Sequence, residues 1–209
     1  MISRILEYLD SLYENPKCEL NYNKDYELLI AIVLSAQTTD KMVNRVTSVL
    51  FSRYKTLKEL SEADILDIED IIRIIGTYKR KSCYVKEIAL RLVRDGFDYV
   101  PNDRVYIESL PGVGRKSANV FLSNIYNEPA IAVDTHVSRV SKRLGLAKDS
   151  DDVKTIEKKL QKKIPIDRWI KTHHQMVLFG RYKCKAIKPM CDDCELKEIC
   201  KNKKISFLK

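Results

Sequence analysis

The chain has 209 residues, of which 44% are hydrophobic and 32% are charged, so it can bury a core and is not a disordered chain. Six glycines and six prolines are too few for a collagen-like or low-complexity protein, and they disfavour a turn-rich all-β fold. The formal net charge of +9 favours a polyanionic partner. The longest apolar run, about residues 28–34, falls far short of the ~20 residues that a membrane span needs. We therefore expect a cytoplasmic protein with reduced thiols and no membrane partner.

Hydrophobic periodicity predicts helices along almost the whole chain. In chain order we expect them at Met1–Asp10, Glu27–Ala36, Asp40–Arg53, Ile65–Ile75, Ser82–Asp95, Asp103–Ser109, Arg115–Tyr126, Thr135–Leu144, Asp151–Lys163 and Arg168–Gly180. Ser61 to Asp64 resembles a capping box that opens the helix at Ile65. Only Ala130–Val133 has the pattern of an extended segment. The fold class predicted by this pattern is all-α.

Four of the six cysteines lie within 17 residues near the C-terminus. Cys184, Cys191, Cys194 and Cys200 follow the spacing C-x6-C-x2-C-x5-C, which in a reducing compartment indicates a metal site. Zinc often takes two C-x-x-C knuckles, but here there is only one, and the other gaps are longer. The spacing therefore favours a [4Fe–4S] cluster and leaves zinc as the alternative. We expect the other two cysteines, Cys18 and Cys83, to be free thiols.

The same region is the most basic part of the chain. Residues 181–209 contain nine Lys or Arg and four Asp or Glu, which is more than half of the net charge of +9. Lys183, Lys185 and Lys188 lie in or beside the longest gap between cysteines. They either contact phosphates of a nucleic acid or offset the negative charge of a cluster.

A glycine-containing turn joins two of the predicted helices. The segment Leu110-Pro111-Gly112-Val113-Gly114-Arg115-Lys116 has a proline that ends the first helix and two glycines that permit a tight turn. The next helix begins there, so its unpaired amide groups and the positive end of its dipole face the turn. We interpret Gly112, Val113, Gly114 and Arg115 as a binding site for one backbone phosphate, without any contact to bases. The alternative is a simple corner between helices.

Lys116 and Asp134 are the candidate catalytic residues. Lys116 lies in the first turn of its helix beside Arg115, and both features lower the free energy needed to remove its proton, as an amine nucleophile requires. Asp134 precedes Thr135 and His136 and is a candidate N-cap that stays ionised. A helix of about 18 Å followed by a return segment of up to about 23 Å allows the two side chains to meet. The alternatives are a second phosphate contact for the lysine and a simple cap for the aspartate.

Five segments together resemble the endonuclease III family of helix-hairpin-helix DNA glycosylases. They are the turn Leu110–Lys116, the segment Ile131–His136, the four-cysteine loop, Leu34–Asp40 and Gly180–Cys184. The resemblance covers nearly the whole chain. It implies two all-α lobes with a DNA-binding cleft between them: a six-helix barrel at 20–129 that contains the helix-hairpin-helix, and a [4Fe–4S] lobe formed by 1–19 and 130–209.

The resemblance also implies the activity. Such an enzyme removes oxidised pyrimidines from double-stranded DNA and nicks the strand at the abasic site. Here Lys116 would form an imine with the sugar, and Asp134 would assist the proton transfers. Gln37 would fill the gap left by the flipped nucleotide, and Lys185 and Lys188 would contact DNA. His136 either helps to order Asp134 or is structural. We expect a monomer, and one associated with the nucleoid if the source is prokaryotic.

One position departs from the family pattern. Where the family commonly has a leucine that enters the duplex after a glycine, this chain has Thr77 after Gly76, and the neighbouring Tyr78 is a conceivable substitute. Two other functions remain open. One is a mismatch glycosylase of the same fold, a group that generally lacks a lysine at the position of Lys116. The other is a non-catalytic iron–sulfur protein that binds DNA.

Overall fold

A computed structural model describes residues 1–201, and all of its regular elements are helices. Within these residues no strand forms, so the prediction of an all-α chain is confirmed. Ala130–Val133, predicted as extended, is a buried non-helical segment without a partner strand. The last eight residues, including part of the basic tail, lie outside the described residues. No described helix has the length and apolar character needed to cross a membrane.

The chain divides into two compact units. The central unit runs from Glu19 to Tyr126, and the terminal unit combines Met1–Cys18 with the chain from Asn127 onward. The central unit contains α2 Asp25–Leu34, α3 Asp40–Arg53, α4 Leu57–Glu62, α5 Ile65–Ile72, α6 Tyr78–Arg94, α7 Arg104–Ser109 and α8 Arg115–Ile125. The terminal unit contains α1 Ile2–Leu12, α9 Thr135–Arg143, α10 Val153–Lys163 and α11 Trp169–Leu178. A 3-10 turn at Ile166–Arg168 precedes α11, and a π-helical turn at Phe179–Lys183 follows it.

Helix α2 is the centre of the central unit. Every residue from Tyr26 to Leu34 is buried, as expected for a helix that is apolar on all sides. It packs against α3, α6 and α8, while α4 and α5 pack on α6. At its first turn, Asp25 Oδ2 accepts a hydrogen bond from the amide of Val100 at 2.7 Å, which ties the segment after α6 to α2.

The core of the terminal unit joins both ends of the chain. Ile5 and Leu9 of α1 pack with Val137 and Val140 of α9 and with residues of α10 and α11. Gly145 has a φ of +71° and ends α9, where the amide of Leu146 donates to Ser141 O. The terminal unit therefore needs its first helix, although that helix is far away in sequence.

One local prediction was wrong, and one helix was not predicted. Ser61 does not cap the helix at Ile65 but lies inside α4, where its Oγ donates to Lys58 O. The real N-cap of α5 is Asp64, whose side chain accepts from the amide of Leu66. Helix α4 was not predicted at all, because six residues with two buried leucines give too short a pattern for the helical period to emerge.

Candidate functional site

The glycine turn adopts the conformation that its sequence predicts. Leu110 is extended before Pro111, and its side chain and that of Val113 are buried. Gly112 has a φ of +78°, a left-handed conformation that favours glycine. A Cβ at Gly112 would lie 2.6 Å from Tyr84 Cδ2, so the turn also needs a residue without a side chain. Apolar packing on the buried side of the turn thus fixes its conformation.

The exposed side of the turn can accept an anion. Gly114 is the N-cap of α8 and provides no side chain to cap the first amide groups. Among the described residues, nothing accepts a hydrogen bond from the amides of Gly112 and Gly114, whereas the amide of Val113 donates to Leu110 O at 3.1 Å. Exposed amides at a helix N-terminus bind phosphate. Gly112 and Gly114 are therefore better candidates for phosphate contact than Val113.

Lys116 lies at the start of α8 and is exposed. It makes no hydrogen bond or ion pair with any of residues 1–201, so its amine is not engaged by a carboxylate within the central unit. A nucleophilic amine must be available in this way to reach a substrate carbon.

Asp134 is the N-cap of α9, and this local prediction is confirmed. Its Oδ1 accepts a hydrogen bond from the amide of Val137 at 2.7 Å, and the side chain is half-buried. The cap fixes the rotamer of the carboxylate and leaves its second oxygen for a substrate. His136 turns to Arg139 instead, with its Nδ1 3.2 Å from Arg139 Nη2. Lys116 belongs to the central unit and Asp134 to the terminal unit.

Three predicted DNA-contact residues share an unusual backbone conformation. Gln37, Thr77 and Lys188 have φ values of 55°, 57° and 51°. Among the described residues only one other non-glycine residue, Asn127, has a positive φ. Such conformations cost free energy and concentrate at functional sites, and a β-branched threonine is especially uncommon there. Gln37 and Thr77 are both exposed.

Two arginines of α9 hold the start of the cysteine loop. Arg143 Nη1 donates to Cys184 Sγ at 3.3 Å and to Lys185 O at 2.7 Å. Arg139 Nε donates to Cys184 O at 3.2 Å. Neither arginine is among the residues predicted from the sequence, although their spacing of four on one helix was a signal for a shared target.

The lysines near the cysteines differ from one another. Lys183 is largely buried, with its Nζ above the ring of Tyr8 and 3.9 Å from Asp193 Oδ2. Lys185 and Lys188 are exposed and make no ion pair with any of residues 1–201. The first lysine therefore serves the packing of the loop, and the other two are accessible to phosphates.

The four cysteines form one group of sulfur donors whose charges affect one another. Burial raises the pKa of Cys191, and the nearby thiolates of Cys184, Cys194 and Cys200 raise it further, so the four sulfurs repel one another when ionised. Yet no group of three His, Cys, Asp or Glu side chains in residues 1–201 is arranged to hold one metal ion. A tetrahedral zinc site needs its sulfurs about 3.8 Å apart, given Zn–S bonds of about 2.3 Å. A cube of four irons holds its thiolates at wider spacing.

Comparison with known proteins decides the family. Residues 30–166 match the family described as HhH-GPD superfamily base excision DNA repair protein. The chain belongs to this superfamily. It is 42% identical over 196 residues to endonuclease III of Bacillus subtilis, a match that covers 94% of this chain and 90% of that protein. The predicted resemblance to the endonuclease III family is confirmed.

Solved structures of relatives agree with this family assignment. The structure of a non-covalent endonuclease III–DNA complex is 44% identical, with a TM-score of 0.94 over 100% of this chain and 97% of that chain. A trapped covalent endonuclease III–DNA intermediate is also 44% identical, with a TM-score of 0.92 over 98% of this chain and 96% of that one.

Proposed function

We propose that the chain is a base-excision repair glycosylase with an associated abasic-site lyase activity, which removes oxidised pyrimidines from double-stranded DNA. The observation that carries this proposal is an exposed, unpaired lysine in the first turn of α8, directly after an anion-binding glycine turn, in a chain 42% identical to an endonuclease III. A base must leave the stack before it can react, at a cost of a few kcal/mol that is lower for a damaged base.

The chemistry follows from Lys116 as a free amine. Its Nζ attacks C1′ of the sugar, the bond from C1′ to the base breaks, and the base leaves with a proton. The C1′–O4′ bond then breaks, O4′ takes up a proton to become a hydroxyl, and the nitrogen lone pair forms a protonated imine between Lys116 and C1′. This imine withdraws electrons, so a proton is lost from C2′ and the C3′–O bond breaks, which releases the 3′ phosphate. Water then releases the lysine.

Asp134 serves this reaction through its carboxylate, which is held in place as the N-cap of α9. It stabilises the positive charge that develops on the sugar and assists the proton transfers. Gly112, Gly114 and Arg115 hold a backbone phosphate downstream of the lesion, and Lys185 and Lys188 add contacts to the backbone. We propose that Gln37 fills the gap left by the flipped nucleotide and that Thr77 stands at the position of the duplex wedge.

We infer that the chain has the two-lobe domain organisation of the endonuclease III family. The six-helix barrel with the helix-hairpin-helix would comprise 20–129, and the second lobe would comprise 1–19 and 130–209. Cys184, Cys191, Cys194 and Cys200 would bind a [4Fe–4S] cluster in that second lobe, which would tie the basic tail to α9. The cluster takes no part in the steps described above.

Borohydride trapping tests the proposed activity. The wild-type protein should form a covalent adduct with a duplex that carries an abasic site, and Lys116→Gln should form none. Lys58→Gln, which changes another exposed lysine in the first turn of a helix, is the matched control and should form the adduct at the wild-type level. Binding of the abasic duplex without adduct or nick by the wild-type protein would contradict the lyase mechanism. Faster excision from a G·T mismatch than from thymine glycol would favour the mismatch glycosylase.

A further inference from the structure

Lys81 occupies a position where the pattern of α6 calls for an apolar residue. It lies on the face that buries Val85, Ile88 and Leu92, and only 3% of it is exposed. Lysine is almost never buried to this extent unless it is paired. The contacts of its amine therefore explain why a lysine can be buried at this position.

The partners of that amine are two groups of one loop. Lys81 Nζ donates to Ala36 O at 2.7 Å and to Thr38 Oγ1 at 3.0 Å, so it contacts the residues immediately before and after Gln37. Burial lowers the pKa of Lys81, and the charge of Arg80 lowers it further, whereas no carboxylate of the described chain opposes this shift. Both hydrogen bonds of the buried amine are therefore made to the loop that carries Gln37.

The backbone of Lys81 contacts a second left-handed residue. Its amide donates to Thr77 O at 3.0 Å, which starts the hydrogen bonding of α6. Gln37 and Thr77 are 40 positions apart in sequence, yet Lys81 is bonded to the flanks of the first and to the second. Left-handed conformations of non-glycine residues persist only where the surrounding structure enforces them. The side chain of Lys81 supplies that enforcement on both sides of Gln37, and its backbone, in the first turn of α6, joins the same group of contacts to Thr77.

We propose that Lys81 is a positioning residue that holds Gln37 and Thr77 together as one device for opening the DNA duplex. This inference rests on the proposed function, because it assigns a task within base excision. Lys81 does not touch the reacting atoms and acts only through the two exposed residues. A small displacement of such residues is enough to slow a reaction that depends on positioning.

Loss of this role should slow the reaction on one class of substrate and leave the reaction on another class unchanged. Excision of a base that is paired in a duplex requires the stack to be opened and the gap to be filled. Cleavage at an abasic site in single-stranded DNA requires neither step, since there is no base to flip and no partner strand. A variant that disturbs only the opening device should therefore lose the first activity and keep the second.

Lys81→Met tests the proposal, because it retains the volume of the side chain and removes its donors. Under single-turnover conditions we expect excision of thymine glycol opposite adenine to slow by about 10-fold or more, while cleavage of a single-stranded abasic oligonucleotide stays within about twofold of wild type. Lys86→Met is the matched control: it lies on the same helix and its Nζ also donates to a backbone carbonyl, Ala63 O at 2.7 Å. It should leave both rates unchanged.

A second variant keeps the test decisive if Lys81→Met does not fold. Thr38→Val removes one of the two hydrogen bonds at constant volume and should slow excision from the duplex by about threefold, with the same sparing of the single-stranded substrate. Equal slowing of both substrates, or no slowing of either, in the folded variants would overturn the role of Lys81. Failure of the wild-type protein on both substrates would instead contradict the proposed function.

Discussion

The glycine turn of the central unit and the cysteine loop of the terminal unit are two candidate binding sites built in opposite ways. The turn stands on buried side chains, Leu110 and Val113, and fits against Tyr84. The cysteine loop exposes 81% of Ile187, and its start is held by hydrogen bonds from Arg143. A site shaped by apolar packing exists before its ligand arrives, whereas a loop with few buried apolar residues obtains its order from the ligand.

Loss of the cluster is the largest effect that this comparison predicts. Wild-type protein should be brown, with about four irons and four sulfides per chain, and should resist trypsin near Lys185 and Lys188. Cys194→Ser should lose most of the iron and be cleaved in that loop, while residues 19–126 survive. Iron and sulfide analysis with mass spectrometry of the fragments measures both. Cys83→Ser, an exposed thiol of the central unit, is the control and should behave as wild type.

Stoichiometric zinc in the wild-type protein would contradict the cluster assignment. A Cys194→Ser protein that has lost its iron but still resists trypsin in the loop would contradict the claim that the ligand orders this segment.

The glycine turn should respond to substitution even without any ligand. Gly112→Ala places a Cβ 2.6 Å from Tyr84 Cδ2 and 3.0 Å from Val33 Cγ1 at a φ of +78°, so we expect a loss of about 2–4 kcal/mol in unfolding free energy. Gly114→Ala meets no atom within 4 Å and should cost less than about 1 kcal/mol. Urea unfolding measures both.

DNA binding separates the same two variants further. A methyl group at Gly114 crowds a phosphate that approaches the amides, so Gly114→Ala should weaken binding to an abasic duplex although the protein remains stable. Unchanged affinity in Gly114→Ala would show that no phosphate binds at this turn. Wild-type stability in Gly112→Ala would show that packing does not fix it.

A smaller effect is expected at Asp10, which joins α1 to α11 in the terminal unit. Burial alone would raise the pKa of Asp10, but hydrogen bonds from Lys171, Gln175 and Arg168 outweigh it and lower the pKa from 3.8 to about 2. A depressed carboxyl pKa contributes stability above pH 4, and this contribution is lost as the pH falls towards 2. Because 33% of the side chain is exposed, solvent screening reduces the contribution of its charge to the unfolding free energy.

Asp10→Asn should therefore lower the unfolding free energy by about 1–2 kcal/mol at pH 7, with about half of that difference remaining at pH 3. Urea unfolding of both proteins at the two pH values checks this expectation. A difference that is the same at pH 3 and pH 7 would mean that the charge of Asp10 is not what joins the two helices.

Local signals determined most of the secondary structure. Ten of the eleven α-helices in residues 1–201 follow from apolar periodicity, and the glycine turn and the N-cap at Asp134 follow from neighbouring residues alone. These features depend on contacts within a few positions, so a sequence pattern contains them. Helix α6 begins at Tyr78 and not at Ser82, because its first turn is set by the left-handed Thr77, a conformation that no residue preference indicates.

Only the tertiary structure showed which distant side chains contact these local elements. The sequence by itself determined the helical class, the turn, the cysteine spacing and the family resemblance. It could not show that Lys81 reaches the loop around Gln37, or that Arg143 reaches Cys184, because these contacts span 41 to 45 positions and depend on how the helices pack. Burial turns Lys81 from an ordinary cation into a specific donor, and burial is a property of the packed chain.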